Sequence, residues 1–183
     1  LDQDDAAMLE RSIKTIVDQV AALKGMVNAF NQYSRNPDRK SELVDVNELV
    51  LDVIELYRAT TVAIETKLDS SEIFLWGDTG KLRQVLHNLI QNSEQALVGH
   101  HSPQIVIETA TTLDSTHIRV HDNGPGLSDE VIGRAFDPYY TTKAKGTGLG
   151  LAIVRKIVEE HDGSVSIRNG EVGAAIEITL PIS

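Results

Sequence analysis

The sequence predicts an α+β fold: a two-layer α/β sandwich in which a mixed, mostly antiparallel sheet is covered by helices on one face, preceded by a long coiled-coil-type helix. Three observations predict it. Alternating stretches at 105–112 and 115–121, and again at 164–168 and 174–180, are joined by turn-forming residues and read as paired strands. Longer segments at 48–59, 79–98 and 149–160 space their apolar residues at helical intervals. Finally, Leu9, Ile13, Ile16, Val20, Leu23, Val27 and Phe30 alternate intervals of four and three, the ~3.5-residue period of a helical seam.

Taken in order, Asp4 to Arg35 contains no proline and only Gly25, with Glu10, Lys14, Asp18, Gln19 and Lys24 on faces away from the seam. Residues 1–35 are expected to pair with another helix or to pack on their own domain. Asn36-Pro37-Asp38 breaks this helix, and 36–46 reads as a linker to a domain at 47–183. Asn47 is the expected N-cap of Glu48 to Ala59. Val62 to Leu68 and Ile73 to Trp76 read as strands, with Trp76 either packed or stacked on a ring. Asp78 precedes the helix of Thr79 to Val98, whose core face is Leu82, Val85, Leu86, Leu89, Ile90 and Ala96. Ser128 is the expected cap of a short helix at 129–136. His161 ends the helix 149–160 next to Gly163, where an imidazolium would meet the negative end of the helix dipole.

The bulk composition narrows the function classes. A net charge of −10 with 4% aromatic residues argues against a nucleic-acid surface, which needs a basic footprint. With no cysteine there is no disulfide or thiolate metal site, and no run reaches the roughly 20 apolar residues that cross a bilayer. Starting at Leu1, the chain reads as a piece of something longer.

The chemistry concentrates between His121 and Val154. A strand ends at Asp122, and Gly124 and Gly126 turn the chain beside it. A second cluster, Gly146, Gly148 and Gly150, opens into a helix, whose first N–H groups lack internal partners and suit phosphate oxygens. Asn88 and Asn92 are four residues apart and share one helix face. Amide oxygens there are candidate Mg²⁺ ligands, because that hard ion takes oxygen donors; the alternative is a pair of satisfied buried amides.

Together, N-L-I-Q-N at 88 to 92, D-N-G-P-G at 122 to 126, F-D-P-Y-Y-T-T-K at 136 to 143 and G-T-G-L-G-L at 146 to 151 resemble the ATP-binding catalytic domain of sensor histidine kinases. That domain is part of the wider family of gyrase, the heat-shock chaperone and the mismatch-repair ATPases, and the F-D-P-Y-Y-T-T-K segment with its short lid looks most like the nitrogen-regulatory branch. The resemblance implies ATP and Mg²⁺ as ligands. It implies contacts from Asn88, Asn92, Asp122, Gly124, Gly126, Thr142, Lys143, Gly146, Thr147, Gly148, Leu149 and Gly150, with Asn92 and Asn88 on the metal and Lys143 as the catalytic cation. Asp122, an acceptor only, would choose adenine over guanine. Thr141 and Lys145 are further lid donors, Lys145 being equally suited to solvated surface. Phe136 and Tyr140 are expected to anchor the lid by burying their rings.

The same resemblance makes residues 1–35 the second helix of a dimerisation and phosphoacceptor hairpin. None of the six histidines sits in the family's phosphoacceptor pattern, so that histidine is expected on a first helix outside this stretch. The implied partners are that helix, a second kinase protomer and a response-regulator receiver domain, with no nucleic acid and no membrane contact by this piece. The implied setting is the cytoplasmic portion of a membrane-anchored bacterial sensor.

Overall fold

The computed structural model describes residues 8–9, 11–17, 20, 27, 41–143 and 146–182. The described positions before residue 28 are helical, and their seam members Leu9, Ile13, Ile16, Val20 and Val27 are exposed. The remainder of the expected lead-in helix, residues 36–40 of the expected linker, and Lys145 lie outside the described residues.

Part of the expected linker is a strand. β1 (Glu42–Asp45) pairs antiparallel with β3 (Phe74–Gly77), placing Leu43 opposite Trp76. At four residues with an acid at each end, it was too short and too charged to stand out by alternation. Trp76 is not packed in the core: it is 60% exposed on the outer side of this small sheet, beside exposed Leu43. The first helix, α1 (Val46–Glu55), begins earlier than expected, because the Asp45 carboxylate accepts the Glu48 N–H at 3.0 Å. Asn47, the expected cap, instead accepts from the Thr109 hydroxyl at 2.8 Å and donates to Asp69 O at 3.1 Å. It fastens α1 to the main sheet.

That sheet contains β2 (Ala63–Lys67), β4 (Gln104–Thr111), β5 (Ser115–Asp122), β6 (Ser164–Asn169) and β7 (Ala174–Pro181), in the order β2-β4-β5-β7-β6. The β2–β4 pair is parallel and the others antiparallel. Ile105, Ile107, Ile118, Val120 and Ile178 supply its buried face, packed in one core with Leu86, Leu89 and Ile90 of α2 (Thr79–Ala96) and Ile153, Val154 and Ile157 of α4 (Gly150–Glu160). The other face is polar: the register sets Arg119 directly between Glu108 and Glu177. Its guanidinium donates to Glu177 at 2.7 and 3.0 Å and to Glu108 at 3.3 Å, and this bonding holds the Glu177 carboxyl below its ordinary range. Between β5 and α4 lies α3 (Asp129–Arg134), capped by Ser128 as expected. Among the described residues, no helix is long and apolar enough to cross a membrane.

Two histidines tie the helices that carry the site. His161 Nε2 accepts the Asp78 N–H at 3.0 Å, while Nδ1 lies 2.7 Å from Ile157 O. A backbone N–H only donates, so Nε2 is the accepting nitrogen in this contact. The ring joins the start of α2 to the end of α4, and its Nδ1 faces a carbonyl of the last helical turn, the end where a dipole contact was expected. At the other side, the Tyr57 hydroxyl lies 2.6 Å from His87 Nδ1, holding the chain after α1 to the middle of α2. Burial first, and the Glu94 charge second, push the Tyr57 phenol up to about 12. A phenol raised above its unfolded value of about 10 stabilises the fold fully below that pH, and the contribution fades as pH rises through about 12. In a phenolate absorbance titration, one of the four tyrosines should therefore resist ionisation until about pH 12, and Tyr57→Phe should remove that late step.

Candidate functional site

The C-terminal end of β5, the middle of α2, the start of α4 and the loop before it enclose a cleft of about 390 Å³. Asn88, Asn92, Asp122, Gly126, Thr142, Lys143, Gly146, Thr147, Gly148 and Gly150 all line it. Gly124 and Leu149 do not. Leu149, expected as a contact, is instead 1% exposed and belongs to the core, where a large apolar side chain is more stable than against a polar ligand. Gly124 acts one step back, donating its N–H to Asp122 Oδ1 at 3.0 Å.

Asp122 is 6% exposed and sits where the alternation of β5 turns its side chain inward. Its Oδ1 accepts from Gly124 N–H and, at 3.4 Å, from Ala174 N–H; its Oδ2 accepts from the Ser93 hydroxyl at 3.2 Å. These donors suit the ionised form, and Oδ2 keeps room for a ligand N–H. Two neighbours of Asp122 carried little signal in the sequence. Ser93 is one small polar residue on the amide-bearing helix. Gly173, at φ +69°, passes so close that an added Cβ would stand 1.9 Å from Asp122 O. A glycine preceding the closing strand was its only signal.

Elsewhere in the cleft, the geometry fixes how Asn92 points. The Lys143 ammonium lies 3.2 Å from Asn92 Oδ1 and 2.8 Å from Gln95 Oε1. An ammonium has no acceptor, so the oxygen of each amide must face it. The Asn92 NH₂ group is thereby turned the other way, towards Gly150 at the start of α4, where an added Cβ would be 3.6 Å from Nδ2. Asn92 Nδ2 and Asn88 Nδ2 are both buried with no partner among the described residues. The first turn of α4 likewise has no side-chain cap. Orphaned donors at a helix N-terminus suit the oxygens of an anion, and the Asn92 oxygen on the other side already suits a cation. Burial lowers the Lys143 pKa, while the Asp122 charge pulls it back up.

The loop over the cleft is clasped at its base. Tyr139 donates its N–H to Gly148 O at 2.9 Å, and both residues have positive φ, 66° each. A Cβ at Gly148 would lie 2.4 Å from the Tyr139 carbonyl carbon, so glycine is required there. Tyr140 is half-buried, with the Arg134 guanidinium 4.1 Å from its ring centroid. Phe136 is also half-buried; the rings anchor this loop as expected, though Tyr140 additionally lines the cleft.

The site thus offers an acceptor for a ligand N–H and donors for anionic oxygens within one cleft. Among the described lining residues Asp122 is the only carboxylate, and the helical position four before Asn92 is Asn88, a neutral amide that cannot act as a general base.

Residues 77–183 match the family described as histidine kinase-, DNA gyrase B-, and HSP90-like ATPase. The chain is 34% identical over 176 residues to a putative sensor histidine kinase NtrY-like of Rickettsia bellii (strain RML369-C), covering 94% of this chain and 28% of that protein. The nucleotide-free catalytic domain of histidine kinase ThkA matches with a TM-score of 0.72 at 30% identity, over 78% of this chain and 96% of that one. ThkA in complex with the response regulator protein TrrA matches with a TM-score of 0.78 at 26% identity, over 96% of this chain and 52% of that one. The chain therefore belongs to the histidine kinase-, DNA gyrase B- and HSP90-like ATPase family, among its sensor histidine kinase catalytic domains.

Proposed function

We propose that this domain binds Mg²⁺-ATP in the cleft and aligns the γ-phosphoryl for transfer to a histidine on a helix outside this stretch. From there the phosphoryl passes to the receiver domain of a response regulator. The observation that carries the reading is that one cleft holds both a bonded, acceptor-only carboxylate and orphaned amide donors.

Asp122 Oδ2 accepts the adenine amino group and rejects a carbonyl in its place. Gly126 gives the base room beside it, with no side chain between. The Nδ2 groups of Asn88 and Asn92, the Thr142 and Thr147 donors and the backbone around Gly146, Gly148 and Gly150 hold the phosphates; Thr141 and Lys145 add to them from the lid. Lys143 brings a point charge to the transferring group. Metal ligation falls to Asn92 Oδ1, with Asn88 as the second amide. Neutral amide oxygens suit an ion whose remaining shell is phosphate and water, and Asn92 Oδ1 already faces a cation. When bound, Mg²⁺ neutralises charge on the phosphate oxygens. With Asn88 where a water-activating acid would have to stand, ATP is held for an incoming imidazole rather than for water.

Residues 1–35 fit the second helix of the dimerisation and phosphoacceptor hairpin, with the exposed seam residues Leu9, Ile13, Ile16, Val20 and Val27 for its mate helix and a second protomer. The chain spans 28% of the relative's length, so sensing, membrane anchoring and a cytoplasmic position belong to the proposed whole protein. The test supplies the histidine-bearing hairpin as a separate polypeptide with γ-labelled ATP. Acid-labile label on the hairpin is expected, with little ATP hydrolysis by the chain alone. Tight Mg²⁺-ATP binding without any transfer would reduce the domain to a nucleotide-binding module.

A further inference from the structure

Lys143 Nζ lies 2.8 Å from Gln95 Oε1, 3.2 Å from Asn92 Oδ1 and 3.5 Å from Asn92 O. The cation stands in a cradle of three oxygens, two from side chains and one from the Asn92 backbone carbonyl. Gln95, whose side chain makes the shortest of these contacts, was not among the residues expected at the site. Asn92 Oδ1 cannot serve the ammonium and a metal together, because a Mg²⁺ ion about 2 Å from that oxygen would leave two cations within a few ångströms, with no anion between them.

The geometry points to a cradle that holds one cation at a time: the Lys143 ammonium in the nucleotide-free chain, and the nucleotide's Mg²⁺ once ATP is bound, with Gln95 setting the exchange by holding the lysine back. This rests on Asn92 being a metal ligand. The metal's arrival would then release Lys143 to the phosphates, so that lysine and magnesium reach the nucleotide in one coupled event. The flexible four-carbon stem permits the swing without moving the backbone at Lys143, whose N–H stays with the Thr141 hydroxyl at 3.1 Å. Metal-free nucleotide, by contrast, leaves the ammonium on Asn92 and Gln95.

Calorimetry with Mg²⁺ and adenylyl imidodiphosphate reads the exchange without turnover. Gln95→Ala removes one hydrogen bond from the empty state only, and should tighten binding ~3- to 10-fold. In a Lys143→Ala background the same substitution should change nothing, since no ammonium is left to hold. Gln95 is exposed on a helix, so alanine there leaves folding intact. ¹⁵N-lysine spectra give a second readout: the Lys143 resonance should stay when nucleotide is added without metal and move when Mg²⁺ follows. Unchanged or weaker binding by Gln95→Ala, or a Lys143 signal indifferent to Mg²⁺, overturns the exchange. Wild-type-like binding by Asn92→Ala would instead remove Asn92 from the metal, a separate and more basic failure.

Discussion

Asp122→Asn should weaken ATP binding by about ten- to a hundredfold and shift the preference towards a purine carrying a carbonyl where adenine has its amino group. The magnitude is that of a hydrogen bond to a charged group, about 1.5–3 kcal/mol. The direction follows from the partners of the carboxylate. Gly124 N–H and Ala174 N–H both donate to Oδ1, so the retained amide oxygen of asparagine takes that place and its NH₂ group replaces Oδ2. Ser93, whose hydroxyl donates to Oδ2, can turn and accept instead. The local fold therefore survives while the surface offered to the base changes from acceptor to donor. Adenine then meets donor against donor, and hypoxanthine meets donor against acceptor. Calorimetry with ATP and inosine triphosphate on both proteins measures the ratio, and thermal unfolding checks that the fold persists. Equal losses for both nucleotides would mean the carboxylate supports the cleft wall rather than reading the base.

That pairing of Asp122 with Ser93 and Gly173 marks where the sequence stopped being informative. Periodicity reports which face of an element is apolar, and on that ground the helices carrying Leu86, Leu89, Ile153 and Val154 and the hairpin-like strands carrying Ile118, Val120 and Ile178 were legible. It does not report pairing between distant elements. The parallel contact of β2 with β4 joins strands on either side of β3 and α2, and β1 gains its strand character only by finding β3. Glycine motifs were legible as a cluster but not by individual role. Gly148 faces the cleft and clasps Tyr139, Leu149 beside it turns into the core, and Gly124 serves the carboxylate from outside the cleft. The amide pair at Asn88 and Asn92 was readable from spacing. Which way Asn92 points was not, because that depends on an ammonium 51 residues further along the chain.

Gly173→Ala should have the largest effect of any single methyl group placed near the site. Its φ of +69° is a conformation that costs a non-glycine residue about 1 kcal/mol or more. The space is also absent: the new Cβ would stand 1.9 Å from Asp122 O, 2.7 Å from its carbonyl carbon and 2.9 Å from Oδ1. Those atoms have little freedom, since the strand residues on both sides are paired, His121 with Ala175 among them, and Gly173 O itself accepts the Gly170 N–H at 3.0 Å. Overpacking of this kind typically costs a further 1–3 kcal/mol, so a total loss of about 2–4 kcal/mol is expected by urea denaturation. The same displacement pushes the Asp122 carboxylate out of line with Ala174 N–H and Ser93, so nucleotide affinity should fall even at a temperature where the variant is fully folded. Alanine at Gly133 gives the comparison, because a Cβ there meets nothing within 4 Å and should leave both stability and binding close to wild type. If Gly173→Ala lowers stability but binds ATP normally, the β7 edge and the base-reading carboxylate move independently, and the rigid link argued between them is absent.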